Sequence, residues 1–346
     1  MKRIILHVLA MSTYSGAENV VCQIINMYKN DSNTEMIYCS PEGAIREVLN
    51  RHGISFEPMN KLSYSEIKRV IRKVQPTYIH AHDVRASLLV AFACGRIPFI
   101  SHMHNNWENL RNLSIKSLLY LIPASKAKNI IWVSQSAYDE YFFKNKFQAK
   151  SVVLKNIIDV IDIRKRVTKV NNNYDIVYVG RLTYQKNPER LITVIEKIAQ
   201  SNNHIKAAII GDGDLREQLA IMIKEKDLSE TISLLGYINN PLEIVKGAKV
   251  MLMTSRWEGT PMCVLEALAL GVPVVGTPTD GILDLIETNR NGYLSDDDNE
   301  LATQALKIIE DEELRRKMSQ LAMRESEKYN SVDRYKKILD EVYTEQ

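Results

Sequence analysis

Cysteine is scarce in this 346-residue sequence, and its four cysteines lie far apart at Cys22, Cys39, Cys94 and Cys263. No two of them have C-x-x-C spacing, so the sequence predicts neither a zinc site built on cysteine pairs nor a disulfide framework. Scattered free thiols are typical of proteins that work in a reducing compartment.

Long apolar runs are also missing. No stretch approaches the roughly 20 residues that a membrane-spanning helix needs. Lys2 and Arg3 lead straight into an apolar run with strand character rather than into a signal peptide. We therefore expect a cytoplasmic protein without a membrane span.

The sequence has no strong net charge, because 45 Lys and Arg oppose 42 Asp and Glu. The total of +3 gives no reason to expect nucleic acid as a partner. The halves differ, however: residues 1–165 carry 22 basic and 13 acidic residues, a net +9, whereas residues 166–346 carry 23 and 29, a net −6. The first half is therefore expected to meet something anionic.

The length exceeds the range of about 250 to 300 residues at which a single core stops growing, so two domains are expected. Short apolar runs alternate with helical patterns, which is typical of doubly wound parallel sheets. Periodicity is lost around 157–173, which ends in an asparagine cluster. We therefore expect domains at 1–165 and 166–328, with a last helix within 329–346 that crosses back onto the first domain.

One segment of the second half combines an apolar strand pattern at 249–254 with a polar loop and a helical pattern. Thr260 is a good N-cap and Pro261 suits the first helical position, while Gly271 ends the helix. Glu258 lies before the helix and Glu266 lies inside it. The helix start at 261–263 would attract an anion such as a phosphate. A pair of glutamates is, on its own, more often two solvated surface acids.

This segment, SRWEGTPMCVLEALALGVPVV at 255–275, resembles the retaining glycosyltransferases of family 4. Those enzymes have the GT-B fold, an α/β architecture in which two Rossmann-like parallel-sheet domains face a central cleft. The resemblance implies that Glu258 contacts the transferred sugar and that Glu266 binds the ribose hydroxyls of a nucleotide-sugar donor. It extends strongly over the second half and loosely over the first.

A second motif, G-R-L-x-x-x-K-N at 180–187, follows an apolar strand pattern at 175–179. Two cationic side chains in a loop are usually just solvated. Arg181 and Lys186 could nevertheless bind a diphosphate, Arg181 through paired guanidinium N–H donors and Lys186 through its ammonium charge. The motif also resembles the family's phosphate-binding loop. The resemblance therefore implies catalytic and donor-binding roles for both residues.

Other loops complete the expected donor site. Gly16 follows the first strand, although the family usually shows Gly-Gly where this sequence has Ser-Gly. Gly211 belongs to a G-D-G loop whose lack of a third glycine argues against a dinucleotide fold. The resemblance assigns donor binding to Gly16, Arg181, Lys186, Gly211, Ile238, Gly259, Thr260, Pro261, Met262, Cys263 and Glu266.

Two H-x-H pairs, His80 with His82 and His102 with His104, follow strand patterns of the first half. Such pairs could bind a metal, but no third ligand lies nearby in sequence, so we expect no metal site. The resemblance favours His104 as the family's active-site histidine. It leaves His82 and His102 as structural or acceptor-side residues.

Residues 111–128 combine leucines with Arg111, Lys116, Lys126 and Lys128. This pattern is equally consistent with an ordinary packed helix and with a basic amphipathic face that touches anionic lipid.

The resemblance therefore implies a retaining glycosyltransferase that needs no metal or other cofactor, in which protein cations stabilise the departing diphosphate. UDP is the expected nucleotide, and a bacterial surface glycan or glycolipid is the expected acceptor, both from family frequency. Two alternatives stay open: an epimerase of nucleotide sugars on the same architecture, and a non-catalytic subunit that only binds the nucleotide sugar.

Overall fold

The computed structural model describes residues 2–106 and 110–344. The chain forms two compact units, one that runs to Ile157 and resumes at Val332, and one that spans Ile158–Ser331. The sequence placed the domain boundary after residue 165 and the last helix within 329–346. The asparagine cluster of the expected linker, at 171–173, falls within the second unit.

The first unit begins with alternating strands and helices that match the alternation of apolar runs. Its elements up to residue 157 are β1 (Arg3–Val8), α1 (Gly16–Met27), β2 (Thr34–Cys39), α2 (Ile45–His52), α3 (Tyr64–Val74), β3 (Tyr78–His82), α4 (Asp83–Ala93), β4 (Phe99–Met103), α5 (Ile115–Lys126), β5 (Asn129–Trp132), α6 (Gln135–Asp139) and β6 (Ser151–Val153).

These strands form one parallel sheet in the order β2-β1-β3-β4-β5-β6. Every residue of β3 and β4 is buried, as expected for central strands covered by helices on both faces. The strand order reverses between β1 and β3, which is where open α/β sheets bind ligands beyond the carboxyl ends of their strands.

The second unit repeats this design after a short first helix. Its elements are α7 (Val160–Lys165), β7 (Ile176–Val179), α8 (Pro188–Ser201), β8 (Ala207–Ile210), α9 (Arg216–Glu225), β9 (Ile232–Gly236), α10 (Leu242–Gly247), β10 (Val250–Met253), α11 (Met262–Ala269), β11 (Val274–Gly276), α12 (Asp280–Leu283), β12 (Gly292–Leu294), α13 (Asp298–Glu310) and α14 (Glu312–Ser326).

The second sheet is also parallel, in the order β12-β11-β10-β7-β8-β9. The first strand of this unit, β7, therefore lies between β8 and β10, so the chain switches direction across the sheet beside β7. The loops after β7 and β10 meet at this switch point. Both sequence motifs lie in these two loops.

A final helix, α15 (Val332–Val342), belongs to the first unit. Arg3 forms an ion pair with Asp340 at 3.2 Å, and the Tyr28 hydroxyl donates to the same carboxylate at 3.1 Å. Beyond the helix, the Tyr343 hydroxyl lies 2.7 Å from His80 Nδ1. The end of the chain is therefore anchored to strands and helices near its beginning.

Within residues 2–106 and 110–344, no helix combines the length and the apolar character that crossing a membrane requires.

Candidate functional site

A buried ion pair joins the two motif loops of the second unit. Lys186 Nζ lies 2.6 Å from Glu258 Oε1, and the Ser255 hydroxyl donates to the same oxygen at 2.6 Å. Only 3% of the Glu258 side chain and 13% of the Lys186 side chain are exposed. A buried carboxylate needs such partners, because losing water without them is costly. The sequence marked both charged residues, but it did not predict that they contact each other.

Backbone contacts hold the same two loops in register. The backbone N–H of Arg256 donates to the Gln185 carbonyl at 2.8 Å, and the Gln185 side chain donates to the Trp257 carbonyl at 3.1 Å. The Thr254 hydroxyl donates to the Asn187 carbonyl at 3.0 Å. The ion pair is therefore built on two loops that are fixed to each other. The S-x-x-E spacing was the one sequence signal that could have indicated the contact between Ser255 and Glu258.

Arg181 lies in the loop after β7, where the Gly211 loop packs against it. The Arg181 guanidinium donates to the Gln185 side chain at 3.2 Å, and its carbonyl accepts from the Tyr178 hydroxyl at 3.1 Å. Gly211 has φ +136°, and an added Cβ would lie 1.9 Å from the Gly180 carbonyl oxygen. Only glycine allows this approach, so the G-D-G loop is explained by packing against the Arg181 loop.

Helix α11 begins one residue later than the sequence suggested. Pro261 is the N-cap, with φ −70° and ψ 115°, and no side chain caps the helix. The expectation of Thr260 at the N-cap and Pro261 inside the helix is therefore wrong, because Pro261 is still extended. Proline also has no N–H, so the anion-binding donors expected at 261–263 reduce to the backbone N–H groups of Met262 and Cys263. The first helical bond runs from Val264 to Pro261.

Electrostatic effects show that the motif residues share one neighbourhood. Burial, opposed by Lys186 and assisted by Glu258 and Glu266, raises the pKa of the Cys263 thiol to about 12. Burial also holds the pKa of Tyr178 well above its usual value, and there Arg181 is the opposing charge. The structure therefore brings together Arg181, Lys186, Glu258, Cys263 and Glu266.

The remaining second-unit predictions lie in the loop after β9 and around the start of α11. Thr260 and Met262 are buried and Ile238 is half-buried. The Gly259 carbonyl packs so closely on Gly281 that a Cβ there would lie 1.5 Å from its oxygen. Thr277, which the sequence did not single out, donates from its hydroxyl to the Ser255 carbonyl at 2.7 Å. Thr277 therefore supports the residue that holds Glu258.

In the first unit, Gly16 is the first residue of α1, and a Cβ added there would meet no atom within 4 Å. Packing within the unit therefore does not require glycine at this position.

Five of the seven histidines form one buried row in the first unit. Strand register pairs His7 of β1 with His80 of β3, and His82 of β3 with His102 of β4. His104 follows β4, and its ring stacks on His102 with centroids 4.1 Å apart. Side chains two apart on a strand share a face, so the two H-x-H pairs meet on one face of the sheet. His7, which also belongs to this row, was not predicted from the sequence. The signal that could have identified it is its position as a polar residue inside an apolar strand pattern.

Two short contacts connect three of these rings. His7 Nδ1 lies 3.0 Å from His82 Nε2, and His82 Nδ1 lies 2.8 Å from His104 Nε2. The backbone N–H of His104 also donates to Asp83 Oδ1 at 3.1 Å. Asp83 has φ +65°, a conformation that few residues other than glycine adopt, although aspartate is among those that do, and such positions often accompany functional sites.

A metal ion is chemically conceivable here, because His7, His80 and His82 form one possible ligand group and His82, His102 and His104 form another. Both groups need His82, whose two ring nitrogens already contact His7 and His104. A metal ion bound by either group would therefore have to displace one of these two contacts of His82.

Comparison with known proteins identifies two family regions in the chain. The model of glycosyl transferases group 1 matches residues 159–324, and the model of Glycosyltransferase Family 4 matches residues 14–161. Together they span both structural units. The expected glycosyltransferase class is confirmed, and neither the epimerase nor the non-catalytic subunit is favoured.

Individual relatives agree with this assignment. The chain is 26% identical to a poly(ribitol-phosphate) alpha-N-acetylglucosaminyltransferase of Staphylococcus aureus, over 61% of this chain and 43% of that protein. It is 24% identical to the UDP-Gal:alpha-D-GlcNAc-diphosphoundecaprenol alpha-1,3-galactosyltransferase of Escherichia coli, over 84% of this chain and 83% of that protein. The aligned region therefore spans less than half of the first relative and most of the second.

A solved structure, Anabaena HepE in complex with UDP and glucose, superposes with a TM-score of 0.85 over 98% of both chains, at 20% identity. This likeness confirms the expected fold of two Rossmann-like domains.

The histidine row predicts acid sensitivity. Burial lowers the pKa of His7 to about 3 and also lowers the pKa of His80, His82, His102 and His104. The unfolded chain gains protons below its histidine pKa of about 6.5, while the folded chain does not. The stabilisation is therefore complete above pH 6.5 and is lost as the pH falls toward 3, at up to about 1.4 kcal/mol per pH unit for each histidine.

Calorimetry at pH 7, 6 and 5 should show an unfolding temperature that falls steadily, and the slope should flatten in His102→Phe. Equal unfolding temperatures at pH 7 and pH 5 would contradict neutral, buried histidines.

Proposed function

The chain belongs to glycosyltransferase family 4, and we propose that it transfers a sugar, with retention of configuration, from UDP to a lipid-linked or glycan acceptor in bacterial surface polysaccharide synthesis. The observation that carries this proposal is the buried contact between Lys186, Glu258 and Ser255 at the switch point of the second sheet. It places a cation and a carboxylate where open α/β sheets bind nucleotides.

The hydrogen-bond donors at this site suit a diphosphate. Lys186 has three donors, one of which faces Glu258, so two stay available for phosphate oxygens. Arg181 adds a planar fork of donors, and the N–H groups of Met262 and Cys263 add the positive end of the α11 dipole. We propose that these groups hold the diphosphate without a metal ion. We propose that Gly16, in the first unit, also binds the donor.

The reaction breaks the bond between the anomeric carbon and the diphosphate oxygen, and the bonding electrons leave with the phosphate. Arg181 and Lys186 stabilise the negative charge that grows there, which is worth most in the transition state. A departing phosphate oxygen accepts the proton of the acceptor hydroxyl, whose oxygen bonds to the anomeric carbon on the same face. Glu258 contacts the transferred sugar, Glu266 accepts from the ribose hydroxyls, and His104 contacts the sugar.

The names of the relatives support the choice of donor. The Escherichia coli relative is named for UDP-Gal, and the Anabaena structure holds UDP and glucose. We propose UDP as the nucleotide for this chain on that basis. The backbone groups near Gly211 and Ile238 would border its base.

The acceptor is proposed to be anionic. One relative is named for poly(ribitol-phosphate) and another for a diphosphoundecaprenol acceptor, and both names contain phosphate. The first half of this chain carries a net charge of +9, which would attract such an acceptor.

We further propose that α5 and the turn before it touch the inner face of an anionic membrane. Leucines and isoleucine that would be buried in a packed helix are instead exposed here: Leu113 (64%), Ile115 (78%), Leu118 (47%) and Leu119 (43%). An exposed apolar cluster of this kind is typical of an interaction surface.

The basic residues of 111–128 are less available than the sequence suggested. Arg111 pairs with Glu140 at 2.6 Å, Lys126 donates to the Ala91 carbonyl at 3.1 Å, and Lys128 donates to the Thr344 carbonyl. The exposed apolar side chains therefore carry most of the proposed membrane contact, and the net charge of the unit adds a weaker attraction.

Removing either phosphate-binding cation should slow the chemical step. Arg181→Ala and Lys186→Ala are each expected to lower kcat by about 100-fold or more, because both charges act mainly in the transition state. EDTA should change kcat little. Initial rates of UDP release with a fixed acceptor measure both effects.

Arg190→Ala serves as the matched control, because Arg190 also forms an ion pair in this unit, with Asp298 at 2.6 Å. It should leave kcat unchanged. Activity that disappears in EDTA and returns with Mg²⁺ would overturn the metal-free proposal.

Membrane contact is tested by sedimentation with vesicles of anionic phospholipid. Wild type should pellet at low salt, and the triple variant Leu113→Ser, Ile115→Ser, Leu118→Ser should not, because it loses the exposed apolar surface. The matched control replaces two exposed apolar residues of the second unit, Ile221→Ser and Leu283→Ser, and should still pellet.

Replacing Arg111, Lys116, Lys126 and Lys128 by glutamate should weaken the binding without changing UDP affinity. If wild type stays in the supernatant, α5 is an ordinary packed helix and the proposed membrane contact is wrong.

A further inference from the structure

The proposed function uses only His104 of the five buried histidines. We propose that His82 and His7 are positioning residues, which fix the tautomer of His104 and so decide whether its Nδ1 donates or accepts a hydrogen bond. The inference rests on the proposed function in one respect, namely that His104 contacts the sugar. The coupling between the three rings rests only on the structure.

The coupling follows from the geometry of the two contacts. A neutral imidazole has one N–H donor and one acceptor nitrogen. His82 uses both, with Nε2 lying 3.0 Å from His7 and Nδ1 lying 2.8 Å from His104. If His82 donates to His104, it must accept from His7; if it accepts from His104, it must donate to His7. The tautomers of the three rings therefore change together.

All three rings are neutral, which this coupling requires. Burial lowers the pKa of His7, His82 and His104, and the neighbouring histidines lower those of His7 and His82 further. The opposing influence is Asp83, which raises the pKa of His104. The other titratable groups that pack on these rings are His80 and His102, which are also neutral.

The direction of the two hydrogen bonds decides what His7 and His104 leave unpaired: one ring keeps an N–H without an acceptor, and the other keeps a lone pair without a donor. His7 Nε2 and His104 Nδ1 are both buried, and neither has a partner among the described residues. Buried N–H groups without an acceptor are the rarer exception in proteins. His7 is fully buried, whereas His104 is the most exposed of the five rings. We assign the lone pair to His7 and the N–H to His104, so that His104 Nδ1 is a donor.

Asp83 fixes the other side of His104. Its carboxylate accepts from the backbone N–H of His104 at 3.1 Å, and its own backbone has φ +65° at the start of α4. His104 is therefore held through its backbone by Asp83 and through its ring by His82. This arrangement leaves Nδ1 as the one nitrogen of the His104 ring without a partner among the described residues, and the proposed function gives it a sugar hydroxyl.

The test compares two substitutions at His7, two rings away from His104. His7→Leu removes the donor to His82, whereas His7→Asn keeps an amide donor in nearly the place of Nδ1. The matched control is His80, which is equally buried and holds a partner through Nδ1, the Tyr343 hydroxyl at 2.7 Å, but takes no part in the two hydrogen bonds. His80→Leu and His80→Asn therefore change the packing against His7 and His82 but remove neither of the contacts that couple the three rings.

The first measurement is ¹⁵N NMR of histidine-labelled protein, with the His104 signals assigned by their loss in His104→Phe. Wild type should show His104 protonated at Nδ1. His7→Leu should shift His104 to a mixture of tautomers, while His7→Asn and both His80 variants keep the wild-type signal. An unchanged His104 signal in His7→Leu, or an equal change in His80→Leu, would overturn the proposal.

The second measurement is steady-state kinetics of the same variants. His7→Leu should lower kcat roughly tenfold while leaving KM within about twofold, as expected when a supporting residue disorients a catalytic one. His7→Asn should recover most of kcat. If the tautomer responds but kcat does not, the coupling stands and the role of His104 in the proposed function fails.

Elemental analysis of the purified protein provides a last check. Zinc bound at one equivalent and lost in His82→Gln would overturn the proposal, because the nitrogens of His82 would then be ligands rather than hydrogen-bonding groups.

Discussion

The second unit depends on one constraint: the buried carboxylate of Glu258 must have a cationic partner. Lys186 supplies it from the neighbouring strand's loop, and Ser255 donates to the same oxygen. Removing one partner of such a pair typically costs about 3 to 5 kcal/mol, because the other charge stays buried. The pair therefore fixes the two loops to each other and keeps a lysine beside the proposed diphosphate site.

The first unit also buries polar side chains, but these are neutral. Five imidazoles lie on one face of the sheet, and burial keeps them uncharged. Three of them satisfy one another through His82, and Tyr343 from the end of the chain satisfies His80. Hydrogen bonds thus specify the positions of four of the five rings, whereas His102, whose ring nitrogens have no hydrogen-bond partner among the described residues, is held by stacking on His104.

The sequence predicted the fold class well, because alternating apolar runs and helical patterns leave few other architectures. It also marked Lys186 and Glu258, whose motifs have fixed spacing. Their contact could not be read from spacing, because they are 72 positions apart and meet only through the pairing of β7 with β10. The contacts among the histidines were missed for the same reason, since His7 meets His80 and His82 only through the pairing of β1 with β3. The start of α11 was wrong because proline is compatible with both the N-cap and the first helical position.

The central claim is that protein groups of the second unit, rather than a metal ion, recognise the diphosphate of the donor. Calorimetric titration of the whole chain in EDTA with UDP and with uridine tests it most directly, because the two ligands differ only in the diphosphate. We predict that UDP binds at least about tenfold more tightly than uridine, a difference of roughly 1.4 kcal/mol, and that Arg181→Ala with Lys186→Ala abolishes the difference. Equal affinities in EDTA, with a preference for UDP only when Mg²⁺ is added, would contradict it.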